Sequence, residues 1–346
     1  DGRDRCPTLS TMTSEASHGR SRPATLHDVA AAVGVSPRTV SRVVNDEGGF
    51  SESTRARVMS AVEQLHYRPN LHARGLISGR SSSIAFVTPV LSDPFFPELA
   101  EGVQRAARDA GLTLLFAMSN SDPDLQADVL RELEGHRLDA IVIFPARGGV
   151  GPLLPALDRG MRMVVVDIRI DHPNAVSVRS DLADGARRAV RHLLDRGCRQ
   201  LAMLTDPPAR EIEQERREAF LATIPDDMEP IVVEADINME GGRRAMADLA
   251  ARRPDVDGVF CFNDVMAIGA LEALAEAGRR VPDDVAVVGF DDIQMGSVVS
   301  PKLTTIRIDR ERVGSVAVDM AQRLASGGPA PQPTVLPIEL IVRNSA

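Results

Sequence analysis

The strongest structural signal lies in residues 25–45, which read Thr25-Leu-His-Asp-Val-Ala-Ala-Ala-Val-Gly-Val-Ser-Pro-Arg-Thr-Val-Ser-Arg-Val-Val-Asn45. Thr25 with Asp28 three residues later is typical of a helix N-terminus, and Ser36 before Pro37 is typical of a second one. Gly34 lies between them, where a left-handed residue ends a helix. The pattern therefore predicts two short helices joined by a tight turn.

A third helix is predicted from Ser51, so the stretch has the form of a helix-turn-helix inside a three-helix unit. Its second helix would carry Arg38 and Arg42 on one face. A helix that enters the major groove by its N-terminus could aim both arginines at guanine. The alternative is a small helical cap with solvated arginines.

Other polar side chains of this unit could contact DNA phosphates. Together with Arg38 and Arg42, the candidates are Thr25, Ser36, Pro37, Thr39, Ser41 and Asn45.

The charge distribution agrees with nucleic-acid binding at one end of the chain. Residues 22–80 carry eight arginines and five acidic residues, whereas residues 81–346 carry 29 basic and 41 acidic residues, and the whole chain has a net charge of −9. A basic head on an acidic body is the pattern that a DNA-binding protein shows, although an excess of this size can arise by chance.

From residue 83 onward, short apolar runs alternate with amphipathic helical segments, which predicts parallel, doubly wound α/β sheets. The predicted strands cover residues 84–90, 112–117, 140–144, 163–167, 201–204, 231–233, 259–262 and 285–290, with a further strand around residues 176–178. Some 260 residues are too many for one such sheet. We therefore expect two α/β lobes with a cleft between them.

Composition excludes several classes of protein. The 346 residues are 43% hydrophobic and 26% charged, which is typical of a globular chain with a substantial core. No apolar run is long enough for a membrane span and no secretory signal is visible, so we expect a cytoplasmic protein with no membrane partner. The three cysteines and seven histidines show no metal-ligand spacing, so neither a metal nor a cofactor is expected.

The residues also resemble a known family. Residues 26–45, 50–58, 67–70 and 73–76 look like the LacI/GalR family of bacterial transcriptional repressors, and the similarity continues through Ser92-Asp-Pro-Phe-Phe96, Phe262-Asn-Asp264 and Val288-Gly-Phe-Asp-Asp292. The resemblance implies a homodimer on palindromic double-stranded operator DNA. It also implies an effector domain like the periplasmic sugar-binding proteins.

Residues 1–22 are rich in Ser, Thr and Arg without an apolar period, which predicts a flexible tail. The resemblance divides the rest of the chain into a helix-turn-helix domain at 23–68, a hinge at 69–81, and a two-lobed effector-binding and dimerisation domain at 82–346. In that family the hinge folds on DNA and a leucine enters the minor groove. The matching position is Leu76, and Asn70, Ala73 and Arg74 share the motif. The alternative is a plain linker with Leu76 packed on the core.

Effector contacts are expected beyond the carboxyl ends of the strands, where open α/β sheets bind ligands. The candidates are Asp93, Phe95, Phe96, Asp181, Asn263, Asp264 and Asp291, with Arg216, which matches the family's ligand-binding arginine. They suit a sugar, a sugar derivative or a purine.

Structural roles are the alternatives for these candidates. Asp264 and Asp291 could cap helices, Phe95 and Phe96 could be core residues, and Arg216 could form a surface ion pair beside Arg217. One departure from the family is Thr205-Asp-Pro-Pro208, where a glycine-rich turn is common. Asp206 there would add negative charge near the cleft.

The sequence thus predicts a ligand-responsive transcriptional regulator. A solute-binding protein without a DNA role is the alternative, and the motif at 26–45 argues against it. No nucleotide-binding glycine pattern or G-x-S-x-G turn follows a strand, so we do not expect an enzyme.

Overall fold

The structure is a computed structural model that describes residues 24–67, 81–207, 211–328 and 330–346. The chain divides into two compact units, Asp1–Arg74 and Gly75–Ala346.

The first unit contains three helices: α1 (Leu26–Val33), α2 (Pro37–Val44) and α3 (Glu52–Gln64). The predicted helix ends are confirmed, because Thr25, Ser36 and Ser51 are the N-caps and Gly34 ends α1 with φ of 70°. Glycine takes this left-handed conformation without a steric penalty, and it turns the chain sharply into α2. The helices pack around a core of their own: Val29, Ala30, Val33, Val40, Val43, Val58, Ala61 and Tyr67.

The second unit is built from β-strands that alternate with helices. In chain order the elements are β1 (Ser83–Thr88), α4 (Phe95–Asp109), β2 (Thr113–Met118), α5 (Pro123–Glu134), β3 (Ala140–Ile143), a 3-10 turn (Gly151–Leu153), α6 (Leu154–Asp158), β4 (Met163–Val166), β5 (Ala175–Ser180), α7 (Leu182–Asp195), β6 (Leu201–Thr205), α8 (Glu211–Thr223), β7 (Ile231–Glu234), α9 (Met239–Arg252), β8 (Gly258–Cys261), α10 (Asp264–Glu276), β9 (Ala286–Asp291), a 3-10 turn (Gln294–Ser297), β10 (Thr304–Arg307), α11 (Arg310–Ala325), β11 (Thr334–Leu336) and β12 (Glu339–Ile341).

The strands form two six-stranded sheets, in the orders β11-β5-β4-β3-β1-β2 and β12-β10-β9-β8-β6-β7. Neighbouring strands run parallel except β10 and β12, which pair antiparallel. The central strands β3, β8 and β9 are buried throughout, as expected for a sheet covered by helices on both faces. The predicted pair of doubly wound lobes is therefore confirmed.

The structure corrects some strand boundaries. The strand predicted to reach residue 90 ends at Thr88, because Pro89 follows and lacks the N–H that would continue the ladder. The prediction also missed β10, β11 and β12, which are only three or four residues long. The chain passes between the sheets after β5, after β10 and after β11, and this brings the carboxyl ends of both sheets to one cleft.

Candidate DNA-binding and effector sites

Helix α2 presents one apolar and one cationic side. Val40 and Val43 are buried in the core of the first unit, whereas Arg38 is exposed and Arg42 is partly exposed. Because Arg38 and Arg42 are four residues apart, their side chains lie on the same side of the helix. The sequence-predicted pair is thus available at the surface of this unit.

The other polar candidates of this unit take part in helix ends. Ser36 Oγ accepts the Thr39 N–H at 3.1 Å, and Asn45 donates its side-chain amide to Ser41 Oγ at 3.3 Å. Thr25 Oγ1 donates to Asp28 at 2.7 Å in a capping box. These bonds fix the start of α2 and its adjoining turn.

The hinge candidates Asn70, Ala73, Arg74 and Leu76 lie outside the described residues, and their assignment stays a prediction. The remaining DNA-binding candidates, including Pro37 at the first position of α2, all lie in or beside α1 and α2.

A cavity of about 700 Å³ occupies the cleft of the second unit, at the carboxyl ends of both sheets. Six of the eight effector candidates line it: Asp93, Phe95, Phe96, Arg216, Asn263 and Asp291. Asp93 follows β1 in one sheet, whereas Asn263 follows β8 in the other. The Asn263 amide donates to Asp93 Oδ2 at 3.0 Å and so joins the two sides of the cleft.

Arg216 lies at the centre of this cavity wall and not at the surface, which excludes the surface ion pair. Only 4% of the residue is exposed, and its guanidinium carbon lies 3.8 Å from the ring centroid of Phe290 and 4.3 Å from that of Phe262. Its guanidinium also donates to the Phe262 carbonyl and lies 3.7 Å from the Asp291 carboxylate. Stacking on two rings holds a planar group that can bind hydroxyl pairs or carboxyl groups.

Three carboxyl groups share this environment: Asp167 and Asp291 are buried, and Asp93 is partly buried. Burial raises the pKa of Asp93, raises that of Asp167 to about 6, and raises that of Asp291 well above its usual range. The Arg216 guanidinium opposes each shift without cancelling it. Such perturbed groups in a cleft are characteristic of functional sites.

Phenylalanine rings form the apolar wall. Phe95, Phe96 and Phe144 meet edge to face, with ring centroids 5.0–6.3 Å apart. Phe95 and Phe96 are both buried, yet they also line the cavity. The core role is therefore observed, and the position of both rings in the cavity wall leaves contact with a ligand as a prediction.

Two candidates lie elsewhere. Asp181 is the N-cap of α7, where its carboxylate accepts the Asp184 N–H at 3.0 Å. Asp264 is buried at the start of α10, where it accepts hydrogen bonds from Ile293 N at 2.8 Å and from the Thr305 hydroxyl. Neither side chain lines the cavity. The cap role weighed for Asp264 is not observed, since Asn263 is the N-cap of α10 and Asp264 binds core partners instead. Asp181 does cap a helix, a role that the sequence had not suggested for it.

Sequence reasoning missed several lining residues, among them Phe144, Arg147 and Asp167. All three follow the carboxyl ends of β3 or β4, so the rule that selected Asp291 could have found them. Asp206 does not line the cavity: its side chain is 3% exposed and lies 3.0 Å from the Arg147 guanidinium. This ion pair offsets the negative charge that the sequence placed near the cleft.

A membrane span and a metal site are two further possibilities. Across the described parts of the chain, no helix is long and apolar enough to cross a membrane. The same residues contain no group of three or more His, Cys, Asp or Glu side chains arranged to hold a metal ion.

Families of known proteins match residues in both units of this chain. Residues 25–70 match the bacterial regulatory proteins of the lacI family, and residues 190–346 match the periplasmic binding protein-like domain. The ribose operon repressor of Halalkalibacterium halodurans is 31% identical over 323 residues, covering 93% of this chain and 96% of that protein.

Two further proteins extend the comparison. The transcriptional repressor PurR of Yersinia pestis is 32% identical over 332 residues, which cover 93% of this chain and 96% of that repressor. The structure of the lac repressor dimer bound to operator and the anti-inducer ONPF superimposes with a TM-score of 0.83 at 28% identity, covering 94% and 99% of the two chains. With a three-helix unit, a ligand-sized cleft and relatives that match it along nearly all of its length, this chain belongs to the lacI family of transcriptional regulators.

Proposed function

We propose that this regulator is a repressor that binds a palindromic operator as a homodimer and is controlled by a small polyhydroxylated effector, a carbohydrate, in the cleft of its second unit. The observation that carries the proposal is the combination in one chain of a surface helix with Arg38 and Arg42 and a cavity of about 700 Å³ lined by Arg216 and buried carboxylates. The similarity to the ribose operon repressor, to PurR and to the operator-bound lac repressor dimer supports the proposal.

In this proposal the N-terminal end of α2 enters the major groove. Arg38 and Arg42 would donate to guanine O6 and N7, and each bidentate contact would contribute about 1–3 kcal/mol of discrimination. The hydroxyl and amide groups around this helix would donate hydrogen bonds to DNA phosphates and so fix its position. They belong to Thr25, Ser36, Thr39, Ser41 and Asn45. We assign residues 23–68 to this domain, 69–81 to a hinge that orders on DNA, and 82–346 to effector binding and dimerisation.

The cavity suits a ligand with several hydroxyl groups and one apolar face. Carboxylates such as Asp167 and Asp291 accept hydrogen bonds from hydroxyls, and the guanidinium of Arg216 donates to their oxygens. Phe95 and Phe96 offer an apolar surface for a sugar ring. We propose that the ligand is bound without chemical conversion, and that the protein acts in the cytoplasm, where its operator lies.

The DNA-binding half is tested by fluorescence anisotropy with labelled genomic fragments at several salt concentrations. Arg38→Ala should weaken binding to the selected fragment by about 1–3 kcal/mol and relax its sequence preference. Arg252→Ala is the matched control, because Arg252 lies on an exposed surface of α9 in the other unit. It should leave the affinity unchanged.

The same titration repeated with a panel of sugars tests the control by an effector. A sugar that changes the affinity for the selected fragment supports the proposal, and the direction of the change separates induction from corepression. If no fragment binds above the non-specific level, the repressor assignment of this chain fails.

A further inference from the structure

The inner part of the cavity holds more carboxyl groups than guanidinium groups. Asp93, Asp167 and Asp291 line it, and Arg216 is the guanidinium that lies among them. The positive charge of Arg216 lowers the pKa of all three carboxyl groups, whereas burial raises each of them further. Arg179 also lowers the pKa of Asp167, and Arg310 lowers that of Asp291, yet the pKa of all three carboxyl groups stays raised. The nearby guanidinium groups therefore do not fully offset the burial of these carboxyl groups.

The other charged lining residues do not correct this imbalance, because they are paired with residues beyond the lining. Arg147 lies 3.0 Å from the buried carboxylate of Asp206. The rim carboxylates have arginine partners of their own: Asp236 with Arg244 at 3.3 Å, and Glu240 with Arg243 at 2.8 Å. The shortage of positive charge is thus confined to the carboxyl groups of the inner cavity.

Asp291 is the carboxylate most available to a ligand. Only 5% of the residue is exposed, it lines the cavity, and no described residue donates a hydrogen bond to its side chain. The nearest cation is Arg216, at 3.7 Å. Its φ of 110° is rare for a residue with a Cβ, and such conformations cluster at ligand sites. Its carboxylate oxygens border the cavity, where a ligand can donate hydrogen bonds to them.

We propose that the effector is a polyhydroxylated small molecule that carries a protonated amine, and that the ammonium group binds between Asp291 and Asp93. An ammonium group donates three hydrogen bonds and supplies the positive charge that the inner cavity lacks. A neutral sugar would leave these carboxyl groups without that cation, and a phosphate or carboxylate would oppose their ionisation further. The inference deepens the proposed function, on which it rests, by naming the charge class of the effector.

Matched pairs of ligands test this inference by calorimetry and by thermal shift. The probes are D-glucosamine, D-galactosamine and D-mannosamine. Each is compared with its parent hexose and with the 6-phosphate of that hexose. At least one amine should bind about 10- to 100-fold more tightly than its neutral parent, as expected for a charge-assisted hydrogen bond in a buried site. The phosphates should bind more weakly than the amines.

Two variants tie the preference to these carboxylates. Asp291→Asn and Asp93→Asn should each reduce the ratio of amine to hexose affinity towards one, because asparagine keeps the shape and removes the charge. Asp319→Asn, which removes a carboxylate from the exposed side of α11, should leave the ratio unchanged. Using both cavity variants protects the test against a folding defect in either one.

The outcomes distinguish a failure of the amine assignment from a failure of the proposed control by an effector. A neutral hexose that binds as tightly as its amine, or a panel in which no amine raises the melting midpoint, overturns the amine assignment. If a neutral sugar binds and alters operator affinity, the proposed function stands without it. If no ligand of any charge alters operator affinity, the proposed effector control fails as well.

Discussion

Asp264 shows how the tertiary environment of one residue changes its expected role. It begins α10, three residues after the end of β8, where a ligand contact was expected, but its side chain lies in the core against Ile293 and Thr305. Burial raises its pKa to about 8. The residue therefore ties α10 to the segments around β9 and β10, and it holds a proton near neutral pH.

This proton makes stability depend on pH in a predictable direction. Because the folded-state pKa of Asp264 is about 8 and its usual value is 3.8, the folded chain binds the extra proton between these values. The stabilising contribution is complete below pH 3.8 and is lost as the pH rises through about 8. The free energy of unfolding should thus fall by up to about 1.4 kcal/mol per pH unit just below that value.

Asp264→Asn should make this fall shallower, because its amide can donate to Thr305 Oγ1 and its oxygen can accept from Ile293 N without a titrating proton. Urea unfolding from about pH 6 to about pH 8 measures the slope, within the range that the Asp167 and Asp264 pKa values span. Asp319→Asn should retain the slope of the unchanged protein. An Asp264→Asn variant with that same slope would show that another group binds the proton.

At the scale of elements, α4 and α11 pack with their backbones in close contact. A Cβ on Gly102 would lie 2.7 Å from the Arg310 carbonyl oxygen, and a Cβ on Gly314 would lie 2.6 Å from the Gly102 carbonyl carbon. Backbone atoms at this crossing cannot move aside as a side-chain tip can. Two small residues on two helices thus allow the α4–α11 contact.

Gly102→Ala should lower the free energy of unfolding by about 1–3 kcal/mol, the usual cost of overpacking a tight contact. Alanine stabilises a helix by about 1 kcal/mol at most relative to glycine, so the net effect on the free energy of unfolding stays unfavourable. The matched control is Gly151→Ala, since a Cβ there meets open space. Chemical denaturation should show that control to be close to neutral, and equal stability of the two variants would contradict the close packing.

At the scale of the whole molecule, the two units have separate hydrophobic cores. Eight buried residues form the core of the first unit, whereas the second unit has one large core that spans both sheets. A domain as small as the first buries a limited share of its surface and is only marginally stable by itself. The two units should therefore unfold at different temperatures.

Scanning calorimetry should resolve two transitions, with the first unit melting at the lower temperature. Val43→Ala should lower only the first transition and Val259→Ala only the second, because these valines are buried in different cores. Operator DNA should raise the first and an effector the second, since a ligand stabilises the unit that it binds. One cooperative transition that both variants shift equally would show that the units unfold together.

The sequence by itself determined the order of the elements and the class of the fold. Helix caps at Thr25, Ser36 and Ser51 are local signals, since a cap needs only the next few residues. Apolar runs likewise predict buried strands wherever they occur. Six of the eight effector candidates line the cavity, and five of them lie at or after the end of a strand, since the carboxyl ends of parallel strands share one edge of a sheet. The sixth, Arg216, lies on a helix and was identified by the family resemblance.

Only the tertiary structure decided which of those candidates face the cavity. Asp264 and Asp291 each lie close to the end of a strand, and nothing local distinguishes them. Asp264 finds donors in the core, whereas Asp291 has a φ of 110° and lines the cavity beside Arg216. The pairing of Arg147 with Asp206 joins residues 59 positions apart, so its effect on the cavity charge is absent from any local pattern. Partners distant in sequence set burial, charge balance and pKa, and folding alone brings them together.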